Sequence, residues 1–581
     1  MQRGRDFIKA INRSFFTSMS QMDQSKRYRY SPTLKWNPNV AEYFIKAYGA
    51  DHFSRISTAL TRPSCYSCIR VNTLKSASDA VIEKLLAIFK ERGICDVAVH
   101  ECTGSADSLK AIKSISKCEF PGLDYVVFVK GSGPHAIHYG DNEGKPLKEV
   151  IVSRKCAEAV LRGAQVYVPG VLACSAHVER GDAVAVSVAV EQSGPDGEWG
   201  IAMTRGTVLQ GSQADPYYYE REGFYIGQAT AMMSRAEMFR VCEGVAVDMK
   251  ERVFRLPSFY DLLEGEIFLQ NLPSIITAHA LDPQPGERIL DMCAAPGGKT
   301  TAIASLMKDK GEVVAVDRSH NKVLGIQKLA AEMGLSCITT YKLDALKSVC
   351  RGAESESLPS TCSVEDVQNT RTTDLLSTGI DGFDAKLLSR KNFNDLQLKD
   401  GRYTSKAELR KCIRQLKNGP GRNHTAGGRV EKSKGFPPNS FDRVLLDAPC
   451  SALGLRPRLF AGEDTIDSLR SQAKYQRRMF DQAIQLVRPG GVIVYSTCTI
   501  NPGENEALVR YALDTYEFLS LASQHPKIGG PGLTGSCQFP DGFVEEWLKP
   551  GEENLVQRFD PSSDLDTIGF FIVKFSVGLK N

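Results

Sequence analysis

Arg288-Ile289-Leu290-Asp291-Met292-Cys293-Ala294-Ala295-Pro296-Gly297-Gly298-Lys299-Thr300 is the stretch that decides the fold. Its apolar start predicts a buried strand over 288–292, and its end predicts a helix over about 300–307. Gly297 and Gly298 allow a tight turn and a close approach to a ligand, which the helix N-terminus would face. The spacing matches neither a phosphate-binding Walker loop nor the dinucleotide motif Gly-x-Gly-x-x-Gly. The stretch therefore predicts the first unit of an α/β sheet whose ligand is not a triphosphate.

A strand–helix rhythm continues from this stretch toward the C-terminus and predicts a doubly wound parallel sheet. The further strands are expected over 312–316, 337–343, 444–446, 490–495 and 569–575. In open α/β sheets, ligands bind at the carboxyl ends of the strands. The residues that follow these strands are therefore the candidate site.

Acidic residues follow three of the predicted strands. Asp317 lies 26 positions beyond Asp291, near the roughly 20-residue offset of a ribose-binding carboxylate from its nucleoside loop. We expect Asp317 to bind the ribose hydroxyls, assisted by Lys322, and Asp344 to accept a hydrogen bond from an adenine amino group. Together with Asp447, these acids predict a nucleoside pocket without a triphosphate. S-adenosylmethionine is the candidate cofactor.

Two cysteines arrive at the same edge of the predicted sheet. Leu445-Leu446-Asp447-Ala448-Pro449-Cys450-Ser451 follows one strand, and Ser496-Thr497-Cys498-Thr499 follows the next. Carbon 5 of cytosine becomes nucleophilic only after a thiolate adds to carbon 6, and a carboxylic acid must neutralise the charge that develops at nitrogen 3. Two cysteines beside a nucleoside pocket therefore favour methylation of a cytosine carbon over methylation of an exocyclic amine. Two structural cysteines at strand ends are the alternative.

The composition is that of a globular protein with several domains. A length of 581 residues predicts two to four domains, and no apolar run reaches the length that a membrane span needs. Sixteen scattered cysteines suit a reducing compartment, and we expect a cytoplasmic protein, with nuclear or organellar locations left open. The pair Cys65 and Cys68 has no second pair at zinc spacing, so we expect no metal site.

The chain before the predicted sheet divides into three parts. Residues 1–35 are basic and are expected to be a flexible N-terminus, with a transit peptide as the alternative. Residues 36–148 predict a small α+β region. Residues 149–241 form a compact β-rich module in which a helix, Gly163-Ala164 and a strand broken by Pro169-Gly170 precede a long strand. This order resembles a PUA domain, a pseudobarrel of RNA-modifying proteins, and implies binding to structured RNA; a generic β-barrel is the alternative.

Taken together, three motifs resemble the NSUN (Sun-domain) RNA cytosine-C5 methyltransferases over about 262–575. They are 291–299, 447–451 and 495–499. The resemblance implies a Rossmann-like, seven-stranded class I methyltransferase domain over 255–581. It further implies that Cys498 is the nucleophile, that Cys450 assists product release, that Asp447 holds the base and that Lys299 orients it. The residues expected to bind S-adenosylmethionine are Cys293, Ala294, Ala295, Pro296, Gly297, Gly298, Lys299, Asp317, Lys322, Asp344 and Asp447.

The position of the PUA-like module resembles one subgroup of this family, the sixth human-type member. That resemblance implies methylation of a cytosine near the acceptor end of tRNA. We therefore expect a monomeric enzyme that binds tRNA, with mRNA as a further RNA. The alternatives are a non-catalytic RNA-binding protein of the same fold and cytosine-C5 methylation of rRNA, mRNA or DNA. In a DNA enzyme, Cys450 would be the nucleophile in place of Cys498.

One departure from the family pattern is the distance of 103 positions between Asp344 and Asp447, which predicts an insertion over 349–438. Its first part is rich in Ser, Thr and Glu and is expected to be disordered. Residues 386–434 contain 14 Lys or Arg against 4 Asp or Glu, with a capping box that predicts a helix over 405–416. The hypothesis is that this basic part contacts RNA phosphates. A tolerated solvated loop is the alternative.

Overall fold

The computed structural model describes residues 28, 30–92, 114–140, 145–193, 199–201, 203–209, 223–259, 261–350 and 431–580. The helix predicted over 405–416, most of the predicted insertion and most of the N-terminal segment 1–35 lie outside these residues. Three larger β-sheets, of four, seven and nine strands, organise the described part of the chain.

The N-terminal part consists of two helices followed by the four-stranded sheet. The elements are α1 (Pro38–Tyr48), α2 (Ala50–Leu60), β1 (Tyr66–Val71), α3 (Ser78–Glu91), β2 (Ile115–Lys117) and β3 (Val126–Lys130). Helix α1 begins where Asn37 accepts a hydrogen bond from the backbone of Asn39 and a proline occupies the first turn, both of which favour a helix start. Strand β1 lies between β3 and a later strand at 267–269. The chain thus returns to this sheet after building the next one.

The second sheet has seven strands and corresponds to the PUA-like module. The elements of this module are β4 (Lys148–Val152), α4 (Arg154–Leu161), β5 (Val166–Tyr167), β6 (Val171–Ser175), β7 (Ala183–Ala189), β8 (Gln192–Ser193), β9 (Trp199–Gly200), β10 (Thr207–Leu209), β11 (Gly223–Ala231), α5 (Arg235–Arg240) and β12 (Val245–Arg252). The strand order is β10-β6-β4-β7-β11-β12-β5, and β8 and β9 form a separate hairpin. Because β12 pairs with both β11 and β5, the sheet extends beyond the boundary predicted at 241.

The segment just before α1 is packed against the protein. The Tyr28 ring stacks on Tyr139 with ring centroids 4.9 Å apart, and the Tyr30 hydroxyl donates a hydrogen bond to the carbonyl of Thr61 at 2.9 Å. Leu34 is buried. The prediction of a flexible segment up to residue 35 is therefore wrong for residues 30–35, because aromatic and apolar side chains there gain more from burial than from solvation.

The third sheet is the predicted doubly wound sheet, but the prediction of parallel strands is wrong for the strand at 570–577, which pairs antiparallel with all of its neighbours. The remaining elements are β13 (Ile267–Leu269), α6 (Leu272–Leu281), β14 (Arg288–Asp291), α7 (Gly298–Leu306), β15 (Glu312–Asp317), α8 (His320–Met333), β16 (Ile338–Lys342), β17 (Glu431–Lys432), β18 (Phe441–Asp447), α9 (Ile466–Leu486), β19 (Val487–Thr497), α10 (Glu506–Thr515), β20 (Leu519–Leu521), β21 (Ser536–Gln538), β22 (Val544–Glu546), β23 (Val556–Phe559) and β24 (Phe570–Val577). The order is β17-β16-β15-β14-β18-β19-β24-β20, with β23 also paired to β24. Short strands such as β17 and β20 bring the total to nine, where seven were expected.

Helices α6 to α10 cover both faces of this sheet, and its central strands are apolar. Val444, Leu445 and Leu446 of β18 are all fully buried, as expected for a strand that has helices on both faces. No helix in the described ranges has the length and apolar character that crossing a membrane requires.

The two ends of the predicted insertion lie side by side. The Cys350 amide donates to the carbonyl of Phe436 at 2.9 Å, and the Phe436 amide donates to the carbonyl of Ser348 at 2.7 Å. The chain therefore leaves this edge of the sheet and re-enters it at a single point, as an insertion into a complete fold does.

A buried ion pair ties the N-terminal helix α1 to the central sheet. Arg558 on β23 donates to Glu506 through Nε at 2.8 Å, and Glu506 is fully buried. The same guanidinium donates to the Tyr48 hydroxyl on α1 and to the carbonyl of Ile500. Three segments distant in sequence therefore meet at one arginine.

We expect Glu506→Gln to lower the free energy of unfolding by about 3 kcal/mol, because breaking a buried pair leaves an uncompensated charge. Urea unfolding measures the change. The matched control is Glu312→Gln, whose partially exposed partner is Arg288; it should cost less than about 1 kcal/mol. Equal losses of unfolding free energy in the two variants would show that the buried Glu506–Arg558 pair contributes no more than an exposed pair.

Candidate active site

The register between β18 and β19 sets the geometry of the site. These neighbouring parallel strands align Asp447 with Ser496, so the chain leaves both strands at the same level of the sheet. Cys450 follows the first strand by three residues and Cys498 follows the second by one. Their sulfur atoms lie 3.3 Å apart. The two cysteines that were predicted to share an edge are therefore in direct contact.

The two thiols differ in their acidity. Hydrogen bonding from the Cys450 thiol lowers the pKa of Cys498, since a donated proton stabilises the thiolate. The same hydrogen bond, together with burial, raises the pKa of Cys450 well above its usual value. The pair therefore favours a thiolate at Cys498 beside a neutral thiol at Cys450.

Asp447 is fixed from two sides beside these thiols. Lys299 Nζ lies 2.8 Å from Asp447 Oδ2, and the Ser496 hydroxyl donates to Oδ1 at 2.6 Å. Lys299 also lies 5.2 Å from the centre of the Phe570 ring. Because each carboxylate oxygen has a partner, the side chain of Asp447 is held in one orientation and its charge is offset.

The glycine-containing loop runs from β14 into helix α7. The Gly297 amide donates to the carbonyl of Ala294 at 2.7 Å, and Gly297 has a positive φ of 106°, which only glycine adopts without strain. A side chain at Gly298 would place its Cβ 2.8 Å from the Phe268 ring. Both glycines are therefore required by the turn and by its close packing.

Arg70 supports this loop from the N-terminal sheet, a role that no local sequence pattern predicts. The side chain is buried; its Nε donates to Gln270 Oε1 at 2.9 Å and its Nη2 donates to Thr301 Oγ1 at 2.7 Å. Thr301 lies on the first turn of α7. Because the partners are more than 190 positions away in sequence, only the fold reveals the contact.

A second unpredicted residue, Tyr43 on helix α1, holds the loop after Cys498. Its hydroxyl donates to Glu545 Oε1 at 2.6 Å and accepts a hydrogen bond from the amide of Gly503 at 3.1 Å. The N-terminal α+β region therefore helps to shape the loop that follows Cys498.

Asp291 lies at the base of a cleft of about 450 Å³, which Lys299, Asp447 and the residues 293–296 also line. Its Oδ2 accepts a hydrogen bond from Thr300 Oγ1 at 2.8 Å, whereas Oδ1 is buried without a partner in the described part of the chain. Buried carboxylate oxygens normally have hydrogen-bond donors. A cationic group such as the methionine ammonium of S-adenosylmethionine would supply the missing donor, so the residues present fit this cofactor.

The other predicted cofactor-binding residues stand along the same edge of the sheet. Asp317 ends β15, accepts a hydrogen bond from the Ser319 amide at 2.9 Å and lies 3.9 Å from Lys322 Nζ. Asp344 follows β16 and accepts a hydrogen bond from the Leu346 amide at 3.1 Å. Neither acid lines the cleft that contains Asp291. The nucleoside roles of Asp317, Lys322 and Asp344 therefore stay predictions.

Comparisons with known proteins agree with this architecture. The family model of the 16S rRNA methyltransferases RsmB/F matches residues 278–373 and 421–574, and the PUA domain model matches 148–189. The rRNA (cytosine-C(5))-methyltransferase NOP2C of Arabidopsis thaliana is 62% identical, covering 98% of this chain and 97% of that protein. The tRNA (cytosine(72)-C(5))-methyltransferase NSUN6 of Homo sapiens is 31% identical, covering 90% of this chain and 91% of its own.

A solved structure is similar over almost the whole chain. The crystal structure of NSun6 from Pyrococcus horikoshii with SFG has a TM-score of 0.60 and 26% identity, covering 94% of this chain and 99% of that one. Fold and site define a class I methyltransferase that uses S-adenosylmethionine and carries a PUA domain. More narrowly, the chain belongs to the RsmB/F (Sun-domain) family of RNA cytosine-C5 methyltransferases, which confirms the resemblance found in its motifs.

The buried Asp291 carboxyl should make the stability of the protein depend on pH. Burial raises the pKa of Asp291 from 3.8 to about 7 in the folded protein. The folded state then binds the proton more tightly than the unfolded state, so stability falls as pH rises from about 4 to about 7. At 1.36 kcal/mol per pH unit, the loss is roughly 4 kcal/mol at most.

Urea unfolding between pH 4 and pH 8 measures this contribution as the difference between the protein and its Asp291→Asn variant. Asparagine does not titrate, so the variant should lose less stability over this range. Parallel stability curves for the two proteins would rule out a raised pKa at Asp291.

Proposed function

We propose that this protein methylates carbon 5 of a cytosine in tRNA, near the acceptor end, through a covalent intermediate on Cys498. The observation that carries the mechanism is the contact of the Cys450 and Cys498 sulfur atoms at 3.3 Å, beside the Asp447–Lys299 pair. The geometry supports a nucleophile in contact with a second thiol for a later step, next to a carboxylate that is fixed by Lys299 and Ser496 and lines the cleft.

The Cys498 thiolate would add to carbon 6 of the cytosine and make carbon 5 nucleophilic. When bound, S-adenosylmethionine supplies an electrophilic methyl group. Asp447, held by Lys299 and Ser496, would bind the polar edge of the base. Cys450 then assists the elimination: after its own proton has passed to solvent, its sulfur takes the proton from carbon 5, and Cys498 leaves carbon 6 as a thiolate. The base must leave its stack to reach the thiols.

The choice of tRNA rests on shared architecture. The human tRNA enzyme NSUN6 aligns with this chain over 91% of its own length. A human 28S rRNA (cytosine(4447)-C(5))-methyltransferase aligns over only 54% of this chain and 28% of its own length. Three relatives named as tRNA (cytosine(72)-C(5))-methyltransferases, from Mus musculus, Homo sapiens and Pyrococcus horikoshii, match over 89%, 91% and 95% of their own lengths, which supports a tRNA substrate. Ribosomal RNA is the second candidate, because the 62% identical Arabidopsis thaliana relative is named as an rRNA methyltransferase.

A basic cavity extends from the cleft and suits an RNA strand. A cavity of about 990 Å³ shares Pro63, Ser64, Leu256 and Arg456 with the cleft that contains Asp447. Its basic lining side chains that have no ion pair in the described part of the chain are Arg55, Arg62, Lys130 and Arg255. The lining also contains Asp566, whose Oδ1 is paired with Arg456 Nη1 at 2.6 Å. The unpaired positive charges favour binding of backbone phosphates on the way to the thiols.

Two cysteine variants test which thiol attacks the base and which assists the later elimination. With RNA and S-adenosylmethionine, Cys450→Ser should accumulate a covalent enzyme–RNA adduct, because attack proceeds while elimination is impaired. Cys498→Ala should form none. Denaturing gel electrophoresis with labelled RNA detects the adduct. The reverse pattern, with an adduct only in Cys498→Ala, would assign the nucleophile to Cys450 and overturn the mechanism.

Bisulfite sequencing after incubation with S-adenosylmethionine decides between the substrates. Transfer RNA transcripts and rRNA fragments are offered to the protein and, as a control, to Cys498→Ala. We expect a protected cytosine near the acceptor end of tRNA in the first sample and none in the control. Protection confined to rRNA would establish the second candidate.

The basic cavity predicts the salt dependence of RNA binding. The triple variant Arg55→Glu, Arg62→Glu and Arg255→Glu should weaken RNA binding and flatten the plot of log K against log salt by about one for each phosphate that the variant no longer neutralises. The control is Lys90→Glu, an exposed charge reversal on α3 that lies outside the cavity lining. A slope unchanged in the triple variant would place the RNA elsewhere.

A further inference from the structure

Glu504 is a buried carboxylate located between the two loops that carry the thiols. It ends the short 3-10 turn Pro502–Glu504, six residues after Cys498, and none of its surface is exposed. Burying a carboxylate is costly unless hydrogen bonds compensate for the lost water. Its partners therefore indicate what the carboxylate does.

Two of these partners belong to the loop of Cys450. The Ser451 amide donates to Glu504 Oε2 at 3.0 Å, and the Ser451 hydroxyl donates to Oε1 at 2.5 Å. Gln476 on helix α9 donates from Nε2 to Oε2 at 2.7 Å and also to the carbonyl of Pro449 at 3.0 Å. The residues on both sides of Cys450 are thus held through this network.

Other contacts link Glu504 to the loop of Cys498. Asn501 Nδ2 donates to Glu504 Oε1 at 3.0 Å. The Thr499 hydroxyl, next to Cys498, is hydrogen-bonded to the Ser451 hydroxyl at 2.8 Å. The Tyr495 hydroxyl on β19 donates to the backbone carbonyl of Glu504 at 2.7 Å. One carboxylate therefore connects the two thiol-bearing loops to each other and to the strand beneath them.

The pattern of donors fits an ionised carboxylate. Four donors point at its two oxygens: one from Asn501, one from Gln476 and two from Ser451. An ionised carboxylate accepts all four, whereas an amide of the same shape has one accepting oxygen and would turn its own N–H groups toward two of the donors. Replacement of Glu504 by glutamine therefore preserves the side-chain volume but disrupts the hydrogen bonds to one of the two carboxylate oxygens.

We propose that Glu504 is a positioning residue that holds Cys450 against Cys498 and thereby sets the rate of the elimination step. The inference rests on the proposed function, in which Cys498 attacks and Cys450 assists release. Glu504 does not contact either sulfur directly; it acts through Ser451 on one loop and through Asn501 on the other. Cys498 comes directly after Thr497, which is paired with Phe571 in the sheet, whereas Cys450 lies three residues beyond its strand, so loss of Glu504 affects Cys450 more than Cys498.

The test compares Glu504→Gln with Cys450→Ser in the full-length protein. After mixing with labelled RNA and S-adenosylmethionine, Glu504→Gln should accumulate the covalent enzyme–RNA adduct as Cys450→Ser does. Multiple-turnover kcat should fall about 100-fold, the loss that a displacement near 1 Å causes, while KM for RNA stays within about twofold. If Glu504 only stabilised the fold, Glu504→Gln would lower the folded fraction of the protein and would not accumulate adduct.

Three further variants make the result decisive. Glu312→Gln is the control for loss of a carboxylate, because Glu312 pairs with Arg288 at the opposite end of β15 from the site; its kcat and adduct level should match the unmodified protein. Glu504→Asp keeps the charge and should recover part of the lost kcat. Ser451→Ala removes one donor from the network and should show the same adduct at a lower level, which provides a test if Glu504→Gln does not fold.

The outcomes separate this inference from the proposed function. If Cys450→Ser traps the adduct while Glu504→Gln and Ser451→Ala release product at the normal rate, the positioning role is overturned. If Cys450→Ser traps no adduct, the mechanism with Cys498 as nucleophile fails, and the role of Glu504 in elimination fails with it.

Discussion

The parallel hydrogen bonding between β18 and β19 is the constraint on which the site depends. Neighbouring strands lie about 4.8 Å apart, and the register opposes Asp447 to Ser496, so two loops start from adjacent points at the same height. A slip of one residue would turn the side chains of one strand to the opposite face. The complete burial of Val444, Leu445 and Leu446 prevents such a slip, because helices cover both faces of the strand. Packing in the core thereby determines how far apart the Cys450 and Cys498 sulfur atoms lie at the carboxyl edge of the sheet.

The electrostatics of the site follow from a small set of charges around those sulfurs. Asp447 and Glu504 raise the pKa of Cys498, whereas Lys299 and the hydrogen bond from Cys450 lower it, the hydrogen bond being the largest influence. Burial raises the pKa of Asp291, the second carboxyl of the cleft. Its unpartnered Oδ1 suits a cofactor that carries an ammonium group. The pKa of Cys498 is therefore lowered more by the hydrogen bond from Cys450 than by the positive charge of Lys299.

Most of the central sheet, and the proximity of Cys450 to Cys498 at one edge of it, could be predicted from local patterns. Apolar runs followed by Asp291, Asp317, Asp344, Asp447 or a cysteine mark strand ends, and strand ends of a parallel sheet converge. The contacts of Arg70, Tyr43 and Glu504 could not be predicted, because each depends on which distant segments pack together. The extension of the PUA module to Arg252 was missed because β12 is joined to the module by pairing with β11 and β5. The packed residues 30–35 were missed because their aromatic side chains bury against segments distant in sequence.

The anchoring of helix α1 has a consequence for the order in which the molecule is assembled. Tyr43 and Tyr48 are synthesised near the start of the chain, yet their partners Glu545 and Arg558 lie 502 and 510 positions later. During translation the apolar side of α1 can pack early against α2, where the Phe44 and Phe53 ring centroids lie 5.5 Å apart, whereas the segments that contain Glu545 and Arg558 are made much later. Contacts between such distant positions are formed late and slow the acquisition of the native state. The loop that presents Cys498 therefore lacks part of its support until the segment around Glu545 has been made, so chains that stop before this segment would contain the thiol without its native surroundings.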